Sequence, residues 1–410
     1  MNSITDENKN TININNNSIT EENNTKNNIN SNNIDDSRLK SSPSPNFIFQ
    51  EEIISYSDCI CGLNESFDVF NSIKDKNDYL IISNKDNNNI EIINLYTKKL
   101  VKSIEGNNTK FILLKYYLDF CRKKEYLICL DLKSIIKVIS ITDNYNILSK
   151  IEFPREFRNN WKLLNCTVLF NVQIGSQKMD IIIVSNRQRY MEEQGTKIYN
   201  LHTGQFLKDV SNTNKYKVRY IIPWFNEENE QYYLIMLCED LLVVVSLLQN
   251  EIYAKLNEER YKSYSSGFVH KEDDVDYLYT CNNCSEINIW NLISKELIKN
   301  IKVSEKLDNI RLYGLLLWNE NYLVVIDDTH NAINIIDLKQ DKVISNTNYR
   351  HKESVRCVKR IKHKIYGECL LTGGDDYSIK LWKNVPNLII PIFDIFLVIR
   401  KGLLFLYFKA

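Results

Sequence analysis

The sequence predicts an all-β fold, a single seven-bladed β-propeller of four-stranded antiparallel blades, and three observations predict it. Hydrophobic residues fall in strand-sized runs rich in β-branched and aromatic side chains, such as Tyr79-Leu-Ile-Ile-Ser83 and Tyr322-Leu-Val-Val-Ile326. No long stretch repeats its apolar positions at helical spacing. A short motif recurs along the chain, and the recurrence is regular enough to set the architecture.

The motif is clearest in Glu286-Ile-Asn-Ile-Trp-Asn-Leu292 and Ser378-Ile-Lys-Leu-Trp-Lys-Asn384. Residues 90–95, 196–201 and 333–338 share the pattern with another side chain in place of Trp, and residues 136–141 and 242–247 are weaker copies. The Trp-equivalent positions are Ile93, Ile139, Tyr199, Val245, Trp290, Ile336 and Trp382, separated by 46, 60, 46, 45, 46 and 46 residues. Each marker strand is preceded by two apolar runs and followed, after a short turn, by a fourth. One such unit cannot bury both of its faces; units stacked radially cover one another and leave only short edges exposed. The single long interval is expected to hold one extra loop between Glu152 and Asn171.

The regions flanking the ring follow from composition. Residues 1–46 are dominated by Asn, Ser, Thr and acidic side chains, too polar to offset the entropy of ordering, and read as a disordered tail closed by Ser41-Ser42-Pro43-Ser44-Pro45. The propeller is expected over 47–394, with an apolar extension at 395–410. Two segments compete for the outer edge of the last blade: residues 47–54 from the N-terminal side and residues 387–394 from the C-terminal side. Pro386 and Pro391 lack amide donors, which an outermost strand tolerates. In the extension, Arg400 and Lys401 interrupt an apolar run that falls short of a membrane span.

The last unit carries His351-Lys-Glu-Ser-Val-Arg-Cys-Val358 followed by Leu370-Leu-Thr-Gly-Gly-Asp-Asp-Tyr-Ser-Ile-Lys-Leu-Trp382. In these residues the chain resembles the WD40-repeat family with divergent repeats. The resemblance spans roughly residues 55–390 and is strongest in this unit. It implies a hydrogen-bonded structural tetrad of His351, Thr372, Asp376 and Trp382. The other units depart from it: at the Asp376 position stand Asn87, Lys133, Glu193, Glu239, Cys284 and His330. Gly373-Gly374 reads as a hairpin turn.

Chemistry-bearing residues are otherwise sparse. Cys281-Asn-Asn-Cys284 has no second pair at zinc-site spacing and reads as a hairpin, so no metal is expected. None of the five histidines sits at metal-ligand or catalytic spacing with a suitable partner. No glycine-rich phosphate loop is present, and no cofactor is expected. Lys plus Arg and Asp plus Glu both number 52, so nucleic-acid binding is disfavoured. Ten scattered cysteines and an N-terminus without a secretory pattern point to an intracellular protein, cytoplasmic in preference to nuclear.

The expected function is a non-catalytic protein–protein interaction scaffold, with one or more protein partners. Arg219, Arg311 and Arg356 are the candidate contact residues, on the rim formed by the loops entering the first strand of each unit. The alternatives are a propeller anchored to a membrane through residues 395–410, or a propeller hydrolase.

Overall fold

The computed structural model describes residues 45, 47–55, 67–84, 87–106, 109–153, 164–186, 195–210, 213, 216–239, 241–257, 263–303, 311–347, 351–376, 378–384, 396–400 and 403–407. They form strands joined by turns and loops, with no helix among them.

Seven four-stranded antiparallel sheets follow one another along the chain, and in each the strands are labelled a to d from the propeller axis outward. Blade 1 comprises Phe67–Asn71, Asp78–Ser83, Ile90–Asn94 and Leu100–Ile104, and blade 2 comprises Phe111–Asp119, Lys124–Asp131, Ile135–Ser140 and Asn146–Glu152. Blade 3 takes Leu164–Ile174, Gln177–Asn186, Thr196–Asn200 and Phe206–Val210; blade 4 takes Val218–Asn226, Gln231–Cys238, Leu242–Ser246 and Glu251–Asn257. Blade 5 is Tyr264–Glu272, Val275–Asn282, Glu286–Asn291 and Glu296–Lys302; blade 6 is Leu312–Asn319, Tyr322–Asp327, Ala332–Asp337 and Lys342–Thr347. Blade 7 has Val355–His363, Gly367–Gly374 and Ser378–Asn384 as a, b and c. All seven markers lie on c strands, which is the physical content of the repeat.

Strand d of blade 7 comes from the other end of the described chain. Phe47–Ser55 pairs antiparallel with Ser378–Asn384, running from Phe47 opposite Asn384 to Ser55 opposite Ser378. The N-terminal candidate therefore occupies this edge; residues 387–394 lie outside the described residues. Phe47 is buried, edge-on to Trp318 of blade 6 at 4.7 Å between ring centroids. Beyond the ring, Phe396–Arg400 and Leu403–Tyr407 form a separate antiparallel hairpin.

The core is a set of apolar layers between blades. Blades 2 and 3 share Tyr126, Ile128, Ile182 and Val184; blades 3 and 4 share Ile181, Ile183, Leu234 and Met236. Comparable layers join blades 4 to 5, 5 to 6, 6 to 7 and 1 to 2. The ring closes where Phe67, Leu80 and Ile82 of blade 1 meet Cys369, Leu371 and Ile379 of blade 7. Burying such side chains contributes roughly 1.5–3 kcal/mol each, which makes face-to-face blade stacking the main source of stability. Polar ties between blades add to it: Lys359 of blade 7 pairs with Asp68 of blade 1 at 2.9 Å, and Trp224 of blade 4 donates its indole N–H to Asp276 of blade 5 at 2.9 Å.

Two sequence expectations are corrected here. The extra length of the third unit is not one loop within 152–171. It is divided between the connection from Glu152 to Leu164 and the b–c loop from Asn186 to Thr196, where blade 4 needs only the step from Cys238 to Leu242. Gly373 and Gly374 are not a turn either, because they end strand b, with Gly373 opposite Ile379. Close approach demands these glycines: a Cβ at Gly374 would lie 2.7 Å from His351 Nδ1, and one at Gly373 would lie 2.6 Å from the Phe67 ring. The turn itself begins at Asp375 and Asp376.

Candidate interaction surfaces

The antiparallel order places a–b and c–d turns on one rim of the ring and b–c turns and d–a connections on the other. The residues singled out from the sequence lie on or beneath the second rim. There the structure brings His351, Asp376, Thr372 and Trp382 together. His351 Nδ1 lies 2.9 Å from Asp376 Oδ1, His351 Nε2 lies 2.7 Å from Thr372 Oγ1, and Trp382 Nε1 donates to Thr372 Oγ1 at 2.7 Å. An ionised carboxylate only accepts, so the His351 Nδ1–H donates to Asp376 and Nε2 accepts from the Thr372 hydroxyl. The hydrogen bonds thus run one way, from indole to hydroxyl to imidazole to carboxylate. Ser378 Oγ at 2.8 Å, the Lys352 amide at 2.9 Å and Lys380 Nζ at 3.1 Å also converge on Asp376. Burial works to raise the Asp376 pKa, but the hydrogen bond from His351, with those of the Lys352 amide and Ser378 hydroxyl, outweighs it and holds the carboxyl well below the usual range. Every polar atom of the set faces a partner, which suits a blade strut rather than a nucleophile.

The three arginines differ. Arg356 clamps two blades: its Nε and Nη2 donate to Asp375 Oδ2 at 2.8 and 2.6 Å, and its Nη1 to Asp328 Oδ1 of blade 6 at 2.8 Å. Arg219 lies 3.3 Å from Glu239, which also holds Lys217 at 2.9 Å. Arg311 is exposed, and its backbone amide donates to Thr329 Oγ1 at 3.2 Å. Arg356 and Arg219 are therefore engaged within the rim, and Arg311 presents its side chain outward.

In the Cys281–Cys284 pair, Cys281 belongs to strand b, with its thiol in the core and burial pushing its pKa up to about 12. The turn proper starts at Asn282, whose Oδ1 accepts the Cys284 amide at 2.9 Å. Three of the histidines meet a carboxylate, His351 within the tetrad that the resemblance implied. His202 Nε2 lies 2.6 Å from Asp180 Oδ2, His330 Nδ1 lies 2.7 Å from Asp327 Oδ2, and His351 meets Asp376.

The opposite rim, carrying the a–b turns, holds what the sequence reading missed. A cavity of about 1220 Å³ opens across blades 2, 3 and 4. At its base Arg122 of blade 2 pairs with Asp119 at 2.6 Å and with the buried Asp180 of blade 3, which His202 also contacts. Burial opposes ionisation of Asp180, yet Arg122 and His202 keep its pKa below the ordinary value. Around this base stand Phe120, 80% exposed, Phe225, 41% exposed, and Leu248, 49% exposed. The lining carries four carboxylates, Asp119, Asp180, Glu227 and Glu230, against the cations Arg122 and Lys178. A second cavity of about 590 Å³ on the same rim, between blades 7 and 1, has the opposite balance, with Lys76, Arg360, Lys362 and Lys364 against Asp78. Nothing in local sequence marks these sites, because each is assembled from turns of different blades.

No family model matches the chain, and no curated protein matches it. Among solved structures the fold is common, with 1441 chains matching, so the likeness by itself selects no function. One match is the crystal structure of BBS1N in complex with ARL6DN, soaked with lead, at a TM-score of 0.59 and 9% sequence identity, over 84% of this chain and 98% of that chain. At that identity the likeness shows the fold alone: this chain is a seven-bladed β-propeller.

Proposed function

We propose that this propeller is a non-catalytic protein–protein interaction scaffold of the WD40-repeat type, acting inside the cell and in the cytoplasm rather than the nucleus. The observation that carries the reading is the fold-level likeness to BBS1N, a chain solved in complex with another protein. The local chemistry supports it. Asp376 and Asp180, two carboxylates whose pKa values are held down, are committed to structural partners, and the Thr372 hydroxyl is held between His351 and Trp382. Exposed Arg311 on one rim and exposed aromatic side chains on the other are residue types favoured at interface hot spots.

The test is affinity capture with the full chain, followed by reconstitution with each purified protein recovered. At least one protein is expected to bind directly and in fixed stoichiometry, with affinity reduced by Arg311→Glu or by Phe120→Asp according to the rim it uses. Absence of any direct, stoichiometric partner overturns the scaffold reading.

A further inference from the structure

We propose that this chain pairs with a second copy of itself, rim to rim, each copy seating the a–b turn of its blade 7 in the other's cleft across blades 2, 3 and 4. The turn has the chemistry that the cleft lacks. It runs Lys362-His363-Lys364-Ile365-Tyr366-Gly367, with Lys362, Lys364 and Ile365 exposed and Ile365 showing 64% of its surface. His363 stacks on Tyr366 at 4.8 Å between centroids, and its Nδ1 accepts the Ile365 amide at 3.3 Å and the Tyr366 amide at 3.4 Å. These contacts pre-shape the tip, so presenting the isoleucine costs little further ordering.

The cleft is the complement. It has an excess of carboxylates, and the blade 4 turn at its edge adds Glu228 to Glu227 and Glu230. Phe120, Phe225 and Leu248 offer an apolar seat for a branched aliphatic side chain. Exposed apolar groups rimmed by charge mark association sites, and opposite potentials favour one register over others. A volume of about 1220 Å³ accommodates a turn tip. Turn and cleft lie on the same face of the ring, so a two-fold axis between two facing rings places each turn over the other's cleft. The contact is made twice and closes, with no free end to propagate a fibre.

Sedimentation equilibrium of the full chain tests this. The wild type is expected to dimerise, more weakly as salt is raised, because the contact is partly ionic. Lys362→Glu with Lys364→Glu, and separately Glu228→Lys with Glu230→Lys, are each expected to weaken dimerisation roughly tenfold or more. Mixing the two variants is expected to restore pairing, since the acidic turn of one then meets the basic cleft of the other, and the reverse. All four positions are exposed, so unchanged thermal melts confirm folding. A wild type monomeric at its highest soluble concentration, a dimer indifferent to both reversals, or loss without recovery on mixing would each overturn the pairing. None of these outcomes touches the scaffold reading, which capture of a different protein decides separately.

Discussion

Blades 5 and 7 carry the same Trp and Thr at equivalent positions yet use them differently. Leu278 stands opposite Trp290 as Leu370 stands opposite Trp382, and Thr280 matches Thr372. In blade 7 the indole N–H reaches the threonine at 2.7 Å. In blade 5 Trp290 Nε1 is buried with no hydrogen-bond partner among the described residues, and Thr280 Oγ1 lies 3.4 Å from the backbone oxygen of Asn288, to which it donates. The difference is the histidine. His351 accepts the Thr372 proton and thereby turns the hydroxyl lone pairs toward the indole, whereas the connection from Asn257 to Tyr264 contains no histidine. Blade 5 instead ties its turn with Asn282, which bonds Glu286 at 3.0 Å and the Cys284 amide. A threonine and a tryptophan are insufficient; the acceptor that orients the hydroxyl completes the strut.

The sharpest way to test that difference is to remove each Trp. Trp382→Ala is expected to cost roughly 3–5 kcal/mol, the usual penalty for deleting a large buried aromatic, because it opens a void beside Phe47 and Trp318 and removes the indole donor to the Thr372 hydroxyl. Trp290→Ala is expected to cost less, since its N–H makes no bond among the described residues, and denaturant melts of the two variants compare them directly. Equal losses would mean that packing alone sets the penalty.

Acid provides a second contrast. The folded pKa of Asp376 lies below its ordinary value of 3.8, so its stabilisation is complete above that value and is lost as pH falls toward the folded one. In melts from about pH 5 to about pH 2, the wild type should lose more stability than Asp376→Asn, which starts lower and varies less. The Cys284 position of blade 5 has no such group to titrate. Parallel curves for wild type and variant would remove the linkage.

The smallest effect is the most specific. Trp382→Phe is expected to cost about 1–3 kcal/mol beyond the size change, for the lost indole bond, while Trp290→Phe discards an unsatisfied donor and should be close to neutral. A larger loss at Trp290 would reveal a partner for its N–H and dissolve the contrast.

What the sequence made legible is what repeats. Strand c of every blade was identified by a marker spaced at the width of one blade, and the one complete tetrad is written within a single unit, from His351 to Trp382. The features that remained hidden depend on pairs distant in sequence. Asp180 meets Arg122 only because blades 2 and 3 stack, and the acidic cleft exists only because turns of three blades converge. The glycines at 373 and 374 were misread because the pattern Gly-Gly-Asp-Asp resembles turn chemistry, whereas rings from His351 and from the neighbouring blade require their missing Cβ atoms.

Because Phe47–Ser55 supplies the outer strand of blade 7, the ring is fastened by its own two ends. During synthesis this strand waits for some three hundred residues to emerge before its partner at Ser378–Asn384 exists, so the last contact to form is also the most remote in sequence, which slows folding. A cut between residues 55 and 67 would leave the fastening held by noncovalent contacts, among them its backbone hydrogen bonds and the buried Phe47. The strand could then be exchanged for a free peptide of the same sequence, turning covalent closure into a binding equilibrium.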